Sequence, residues 1–410
     1  MFVRIPVLAI GLAACLSLGA DWPQWLGPNR NNVSSEIVPP WSGAPTVHWR
    51  LPVGEGNGGP VISNGRVFLL TKVKGKDVEE VMALDATTGK EIWRTAYDRP
   101  EFTSMFGNGP RSTPTVVDGK VYTMGITGIL SCFDAADGKI LWQANPSEEF
   151  KAARLVFGSA VSPLVEGGKV YVMAGGKGGV IAAYDAGTGK LVWSEKKDQA
   201  SYSSPIAIGQ GADREIIFLA QSGIVALSPT DGTVLWRAPL VDGLMETSST
   251  PAICGDVLLA SSITFGAMGL DLKKEDGKQG KKLWTNPALT CYFATPVAVG
   301  TDHFYVVTGT KPPARNMVAT LQCVEAKTGK LLWKRPNVGK YHASLMCTGD
   351  DKLLMLEESG DLVLLQADPK EYRELSRTKV CGETWAHPAL ANGRFYVRDN
   401  KEMVCFSLGK

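Results

Sequence analysis

The chain has 410 residues, 44% of them hydrophobic and 20% charged, an ordinary globular composition with ample length for a large core. Its 43 basic and 41 acidic residues nearly cancel and no basic stripe stands out, so nothing marks a nucleic-acid surface. The densest charged run, 273–282, mixes both signs with glycine and reads as a solvated hairpin tip.

At the N-terminus Arg4 precedes an apolar stretch at 5–18. The stretch is short against the roughly 20 residues a membrane span needs, so residues 1–20 read as an export signal peptide. Ser17 and Gly19 suit cleavage shortly before Asp21. The alternative is a lipobox, LAAC at 12–15, with Cys15 as the lipidated first residue and a lipid anchor. Both readings place the mature protein outside the cytoplasm, in the periplasm or cell envelope. No other segment is apolar enough to cross a membrane. Residues 21–46 form a leader with Trp22, Trp25 and Trp41 among prolines. It is expected to lie against the rest of the chain; a partner-binding arm is the alternative.

From residue 47 onward the chain repeats itself. LDATTGKEIW (84–93) returns as FDAADGKILW (133–142), YDAGTGKLVW (184–193), LSPTDGTVLW (227–236) and VEAKTGKLLW (324–333). Asp85, Asp134 and Asp185 can accept hydrogen bonds from the turn that follows. Gly89, Gly138, Gly189, Gly232 and Gly329 can take the positive φ such a turn requires. Trp93, Trp142, Trp193, Trp236 and Trp333 each follow the Asp position by eight residues, as the large apolar group that packs one unit on the next. Ser228 and Glu325 replace Asp but keep an oxygen acceptor. In the fifth copy an insertion of about five residues separates GLDL (269–272) from Trp284, and Asp276 stands at the usual spacing. Near 375 the motif decays, with Leu375 close to the Trp position.

Each unit begins with a stretch ending in Pro60, Pro114, Pro163, Pro205, Pro251, Pro296 or Pro388, and Leu345 fills the remaining start. Four short strands follow, rich in β-branched and aromatic residues and joined by Gly and Asp turns. The last unit stops before its own Trp strand, while Trp49, in VHWRL (47–51), opens the array with a Trp strand and no unit before it. The two ends complete each other. The expected fold is an all-β, eight-bladed propeller of four-stranded antiparallel blades over 47–410, monomeric, with an N-terminal strand closing the ring.

The eight cysteines show no C-x-x-C and no adjacent pair. Cys132, Cys323 and Cys405 fall at one repeat position, the pattern of a small buried side chain in a strand.

Segments leading into the innermost strands converge on one face of a propeller and differ most between copies. They carry the binding-face candidates Arg111, Tyr202, Glu246, Tyr292, Tyr341, His342, Glu383, Trp385 and His387. Aromatic residues with arginine suit a protein interface or a sugar-stacking pocket; filling of the channel is the plainer reading. His342 and His387, with Glu246 or Glu383, have the residue types of a metal site, but capping or solvent-facing histidines are commoner and no metal is expected. No G-x-S-x-G supports a hydrolase.

The unit A-x-D-x-x-T-G-K-x-x-W resembles the tryptophan-docking repeat of the quinoprotein (PQQ-type) β-propellers, across essentially all of 47–410. The prefix DWPQWLGPNRNNVSSE (21–36) resembles a leader found before such propellers in exported bacterial proteins. The resemblance implies one of two jobs. Periplasmic quinoprotein alcohol and glucose dehydrogenases bind pyrroloquinoline quinone and Ca²⁺. The branch similar to the BamB subunit of the outer-membrane β-barrel assembly machinery is an eight-bladed scaffold without a cofactor. This chain lacks the adjacent cysteine pair typical of those alcohol dehydrogenases, lacks their length, and shows no evident Ca²⁺ ligand set. The expectation is an exported, non-catalytic scaffold that binds a protein partner and no cofactor. The alternative is a PQQ-dependent dehydrogenase with Ca²⁺, or a degenerate quinone-binding relative. Carbohydrate binding is a third reading.

Overall fold

The computed structural model describes residues 21–274 and 279–409. The signal segment, Cys15 and Asp276 lie outside the described residues. Among the described residues the strands form eight four-stranded antiparallel sheets. Among the described residues no helix is long and apolar enough to cross a membrane. Seven blades are built from consecutive strands. Blade 1 is Val61–Ser63, Arg66–Lys72, Val78–Asp85 and Glu91–Asp98, and blade 7 ends at Arg373–Lys379. Blade 8 takes its three inner strands from the C-terminus and its outer strand, Thr46–Pro52, from the N-terminus. That strand pairs antiparallel with Glu402–Ser407, so the ring closes as the orphan Trp strand predicts.

The repeat explains the seams between blades. Asp85 Oδ1 accepts the Thr87 and Thr88 amides at 3.1 and 2.8 Å, and Asp185 Oδ1 accepts the Thr188 amide at 2.8 Å. Gly189 sits at φ +70°. Its second reason for being glycine is nonlocal: a Cβ there would lie 2.6 Å from the Trp142 ring of the preceding blade. Trp142 Nε1 then donates to Ala186 O, 3.1 Å away in the same turn. The pattern recurs around the ring with Trp49 on Gly89, Trp93 on Gly138, Trp193 on Gly232, Trp236 on Gly280 and Trp284 on Gly329.

In each blade that carries the Trp the register slips one residue beside it, and a small residue faces the indole. Trp142 is opposite Cys132, Trp333 opposite Cys323, Trp49 opposite Cys405 and Trp284 opposite Gly269. The shared cysteine position is therefore the space beneath an indole.

Two copies differ from the rest. In blade 5 Asp271 holds the Asp place: its carbonyl accepts the Gly280 amide at 3.0 Å, and thirteen residues separate it from Trp284. The insertion is thus five residues, and Gly280 is the docking glycine. In blade 7 Leu364 pairs with Ser376, so Ser376 and not Leu375 occupies the Trp register. The large and small partners are exchanged. Ser376 Oγ accepts the Trp41 amide and donates to the Trp41 carbonyl, both at 2.8 Å. Trp41, 5% exposed, joins the core at the blade 7–8 junction. The leader supplies the indole that blade 7 lacks.

Candidate functional site: the mouth of the central channel

At four of the blade openings the residue before the proline is a Ser or Thr whose hydroxyl ties neighbouring blades together. Thr113 Oγ1 accepts the Gly59 amide at 3.0 Å, Ser162 Oγ the Thr113 amide at 2.9 Å, and Ser204 Oγ the Ser162 amide at 2.9 Å. Thr295 Oγ1 accepts the Thr250 amide at 3.2 Å. This hydroxyl belt is a stability device written as S/T-P in the sequence. His387 holds the same place in blade 8.

The leader fills the channel from the face that carries the turns. Trp22 exchanges backbone bonds with Ile62, and Pro23 O accepts the Val116 amide at 2.8 Å. Arg30 is buried. Its guanidinium donates to Pro205 O, Pro163 O and Ser162 O, each at 2.9 Å, and to Gln24 Oε1 at 3.2 Å. Burial lowers its pKa to about 9. Trp25 Nε1 donates to Thr250 Oγ1 at 3.0 Å, and its ring meets His387 edge-on at 4.5 Å. The leader leaves by the same face, where Glu36 Oε2 accepts the Gly393 amide at 2.7 Å.

From the other face the loop between blades 1 and 2 folds inward. Phe106 packs on Phe157 at 5.3 Å, Trp385 at 5.5 Å, Phe293 at 6.2 Å and Tyr341 at 6.3 Å. Arg111 ties this loop to the one between blades 2 and 3, donating to Gly107 O at 3.1 Å, Phe106 O at 3.2 Å and Phe157 O at 2.7 Å. Burial lowers its pKa to about 10. Between Phe106 and Trp25 lies a cavity of about 110 Å³ that also touches Asn57, Tyr202, Ser248, His342 and His387.

The structure gathers the candidates around this mouth but gives them different exposures. Tyr202, Tyr292, His342 and His387 are buried, Arg111, Glu246, Tyr341 and Trp385 are half-buried, and Glu383 is exposed. Tyr292 donates its hydroxyl to Glu246; burial first, and this carboxylate second, raise the tyrosine pKa. Trp385 stacks on Phe293 at 5.0 Å and donates Nε1 to Glu358 Oε1 at 2.8 Å. Glu358 Oε2 takes the amides of Lys340 and Tyr341, both at 2.7 Å. Burial lowers the His342 pKa to about 4, against an opposing push from Glu358, and lowers that of His387 well below its usual value. Both rings are neutral at physiological pH.

Sequence reasoning passed over Phe106, Phe157, Phe293 and Glu358. The first and third stand inside the variable pre-proline segments, so an aromatic in each such segment was the available signal. Glu358 carried none. Outside the plug, the same face exposes Met105 (83%), Val156 (76%) and Met245 (60%) on three separate loops. A groove of about 250 Å³ between two of these loops is lined by Leu155, Val156, Leu244 and Met245, together with the charged Arg154, Lys177 and Glu246.

Residues 77–311 and 269–408 match the family model described as outer membrane protein assembly factor BamB. BamB of Burkholderia pseudomallei is 26% identical over 193 residues, 46% of each chain. BamB of Yersinia pestis is 26% identical over 257 residues, 59% of this chain and 61% of that one. A quinohemoprotein alcohol dehydrogenase of Pseudomonas putida, ADH-IIG, is 31% identical over 149 residues, 33% of this chain and 20% of that one. The alignments thus span about half to three fifths of the BamB proteins and a fifth of the dehydrogenase. In three dimensions the chain is similar to ADHIIG of P. putida HK5, with TM-score 0.71, 15% identity, and coverage of 95% of this chain and 80% of that one. BamB of Moraxella catarrhalis gives TM-score 0.62 at 16% identity, covering 89% and 98%. At these identities the solved structures show the fold alone.

Proposed function

From a chain that belongs to the family of the outer membrane protein assembly factor BamB, we propose a non-catalytic scaffold of the cell envelope that binds a protein partner in outer-membrane protein assembly. The observation that carries the reading is the loop face. Met105, Val156 and Met245 stand out on three loops, two of them framing a groove lined by apolar side chains and by the charged Arg154, Lys177 and Glu246. Large apolar side chains clustered on one face and rimmed by polar groups mark a contact surface. The strand positions, by contrast, are taken up by packing between blades.

The dehydrogenase relatives favour a second reading, with pyrroloquinoline quinone and Ca²⁺ in the channel. The residues present do not fit those groups. Arg111, the cation of the cavity, is committed to the Phe106 and Gly107 carbonyls of its own loop and to Phe157 O of the next. The cavity, about 110 Å³, is well under the roughly 300 Å³ at which ligand pockets usually begin. Among the described residues no cluster of three or more His, Cys, Asp or Glu could hold a metal.

The test is genetic and biochemical. Loss of the gene in its native host is expected to lower the amount of β-barrel proteins in the outer membrane. Wild-type protein should restore them. A triple variant, Met105→Asp, Val156→Asp and Met245→Asp, should not, while melting within a few degrees of wild type. Unchanged barrel levels after gene loss would remove the assembly reading. Tight, Ca²⁺-dependent uptake of pyrroloquinoline quinone in a calorimeter would replace it with the enzymatic one.

A further inference from the structure

We infer that His342 and His387 form a two-coordinate site for a soft monovalent d¹⁰ cation, Cu(I), inside the central channel. The two rings come from the openings of neighbouring blades 7 and 8, and both border the channel cavity. Their exposures are 2% and 6%, and their centres are 5.8 Å apart. Nδ1 of His342 and Nε2 of His387 are buried without a hydrogen-bond partner. The remaining His342 nitrogen is committed to Ser344 Oγ at 2.9 Å. A buried polar atom left unpaired forfeits its hydration with nothing in return. Two such atoms on rings whose centres lie 5.8 Å apart call for an occupant.

The chemistry selects the occupant. An imidazole nitrogen bonds a metal at about 2 Å. Adding roughly 1 Å from each nitrogen to its ring centre, a near-linear N–metal–N bridge spans about 6 Å between ring centres, close to the observed separation. No third His, Cys, Asp or Glu completes a cluster among the described residues. That argues against Zn²⁺, which takes four ligands, and against Ca²⁺, which needs six or more oxygens. A monovalent ion satisfied by two nitrogens, from the element whose divalent state already favours imidazole, remains. Trp25 closes the site from the leader side, with its ring edge-on to His387 at 4.5 Å. The aromatic plug closes the other side and keeps water and oxidants away from the ion.

The experiment uses the whole mature protein, titrated anaerobically with Cu(I) against a competing chelator and, separately, with Ag(I) as a redox-inert probe. One equivalent is expected to bind with quenching of tryptophan emission. His342→Gln and His387→Gln should each weaken binding at least a hundredfold. Trp25→Phe should keep the affinity and lose most of the quench. Zn²⁺ should not compete. X-ray absorption on the copper-loaded wild type needs no variant to fold, and should show two nitrogen scatterers near 2 Å. Sulfur scatterers would assign the copper to buried cysteines and overturn the site. So would binding unaffected by either histidine variant, or no uptake at all, which would leave the two nitrogens to buried water.

Discussion

Trp142 and Gly189 meet across the seam between blades 2 and 3, and the pair carries two separable demands. The turn needs a positive φ at 189, and the indole needs a surface with no side chain on it. Trp142→Ala should cost about 3–5 kcal/mol in urea unfolding, as other buried aromatics do. Gly189→Ala should cost at least about 2 kcal/mol alone, from left-handed backbone strain plus the clash with the ring. In the Trp142→Ala background only the backbone part should remain. The cycle should therefore show a coupling above about 1 kcal/mol; additivity would mean the glycine serves its own turn alone. At this scale the turn chemistry was legible, because Asp, Thr and Gly act within one decapeptide. The second role of the glycine was not, since its partner sits 47 residues earlier in another blade. The cysteine position was legible as small and buried; that it lies under an indole required the register.

The leader is the element that sequence periodicity could not place. It does not repeat, and its anchors are far off in the chain: Arg30 reaches Ser162, 132 residues away, and Trp41 reaches Ser376, 335 residues away. Arg30→Ala should cost about 3 kcal/mol or more, since bonds to a charged donor each contribute roughly 1.5–3 kcal/mol. Chemical unfolding of that variant checks it, and a loss below about 1 kcal/mol would make the leader an attached arm with no part in the core. Blade 7 makes a related point. The decay of its motif is visible in the sequence, but the compensation by Leu364 and Trp41 appears only when the leader is in place. The candidate site divides the same way. Convergence of the pre-proline segments follows from the repeat. Which of their side chains turn inward depends on Phe106, a loop residue whose neighbours come from the openings of blades 3, 6, 7 and 8.

At the scale of the molecule the count of units settles the architecture, because an orphan strand at one end and an incomplete blade at the other have few other uses. One face carries the leader plug and the repeat turns; the other carries the loops and their exposed methionines. The closed ring, though, imposes an order on assembly. Arg50 and Glu402, paired at 2.8 Å, are 352 residues apart. A chain delivered N-terminus first must hold strand Thr46–Pro52 unpaired until nearly all the rest has arrived. Joining such distant segments is slow, since contacts of large sequence separation come late in folding. Until then blade 8 has an open edge that can pair with another chain. A circular permutant that begins at residue 54 and carries 46–53 after residue 410, with the leader supplied as a separate segment, would turn that last step into a local hairpin. It should refold faster than the native order at similar stability. Equal rates in stopped-flow refolding would mean that closure is not the slow step. The native order thus makes the first strand made the last one used, and the time between is when the chain needs protection from its neighbours.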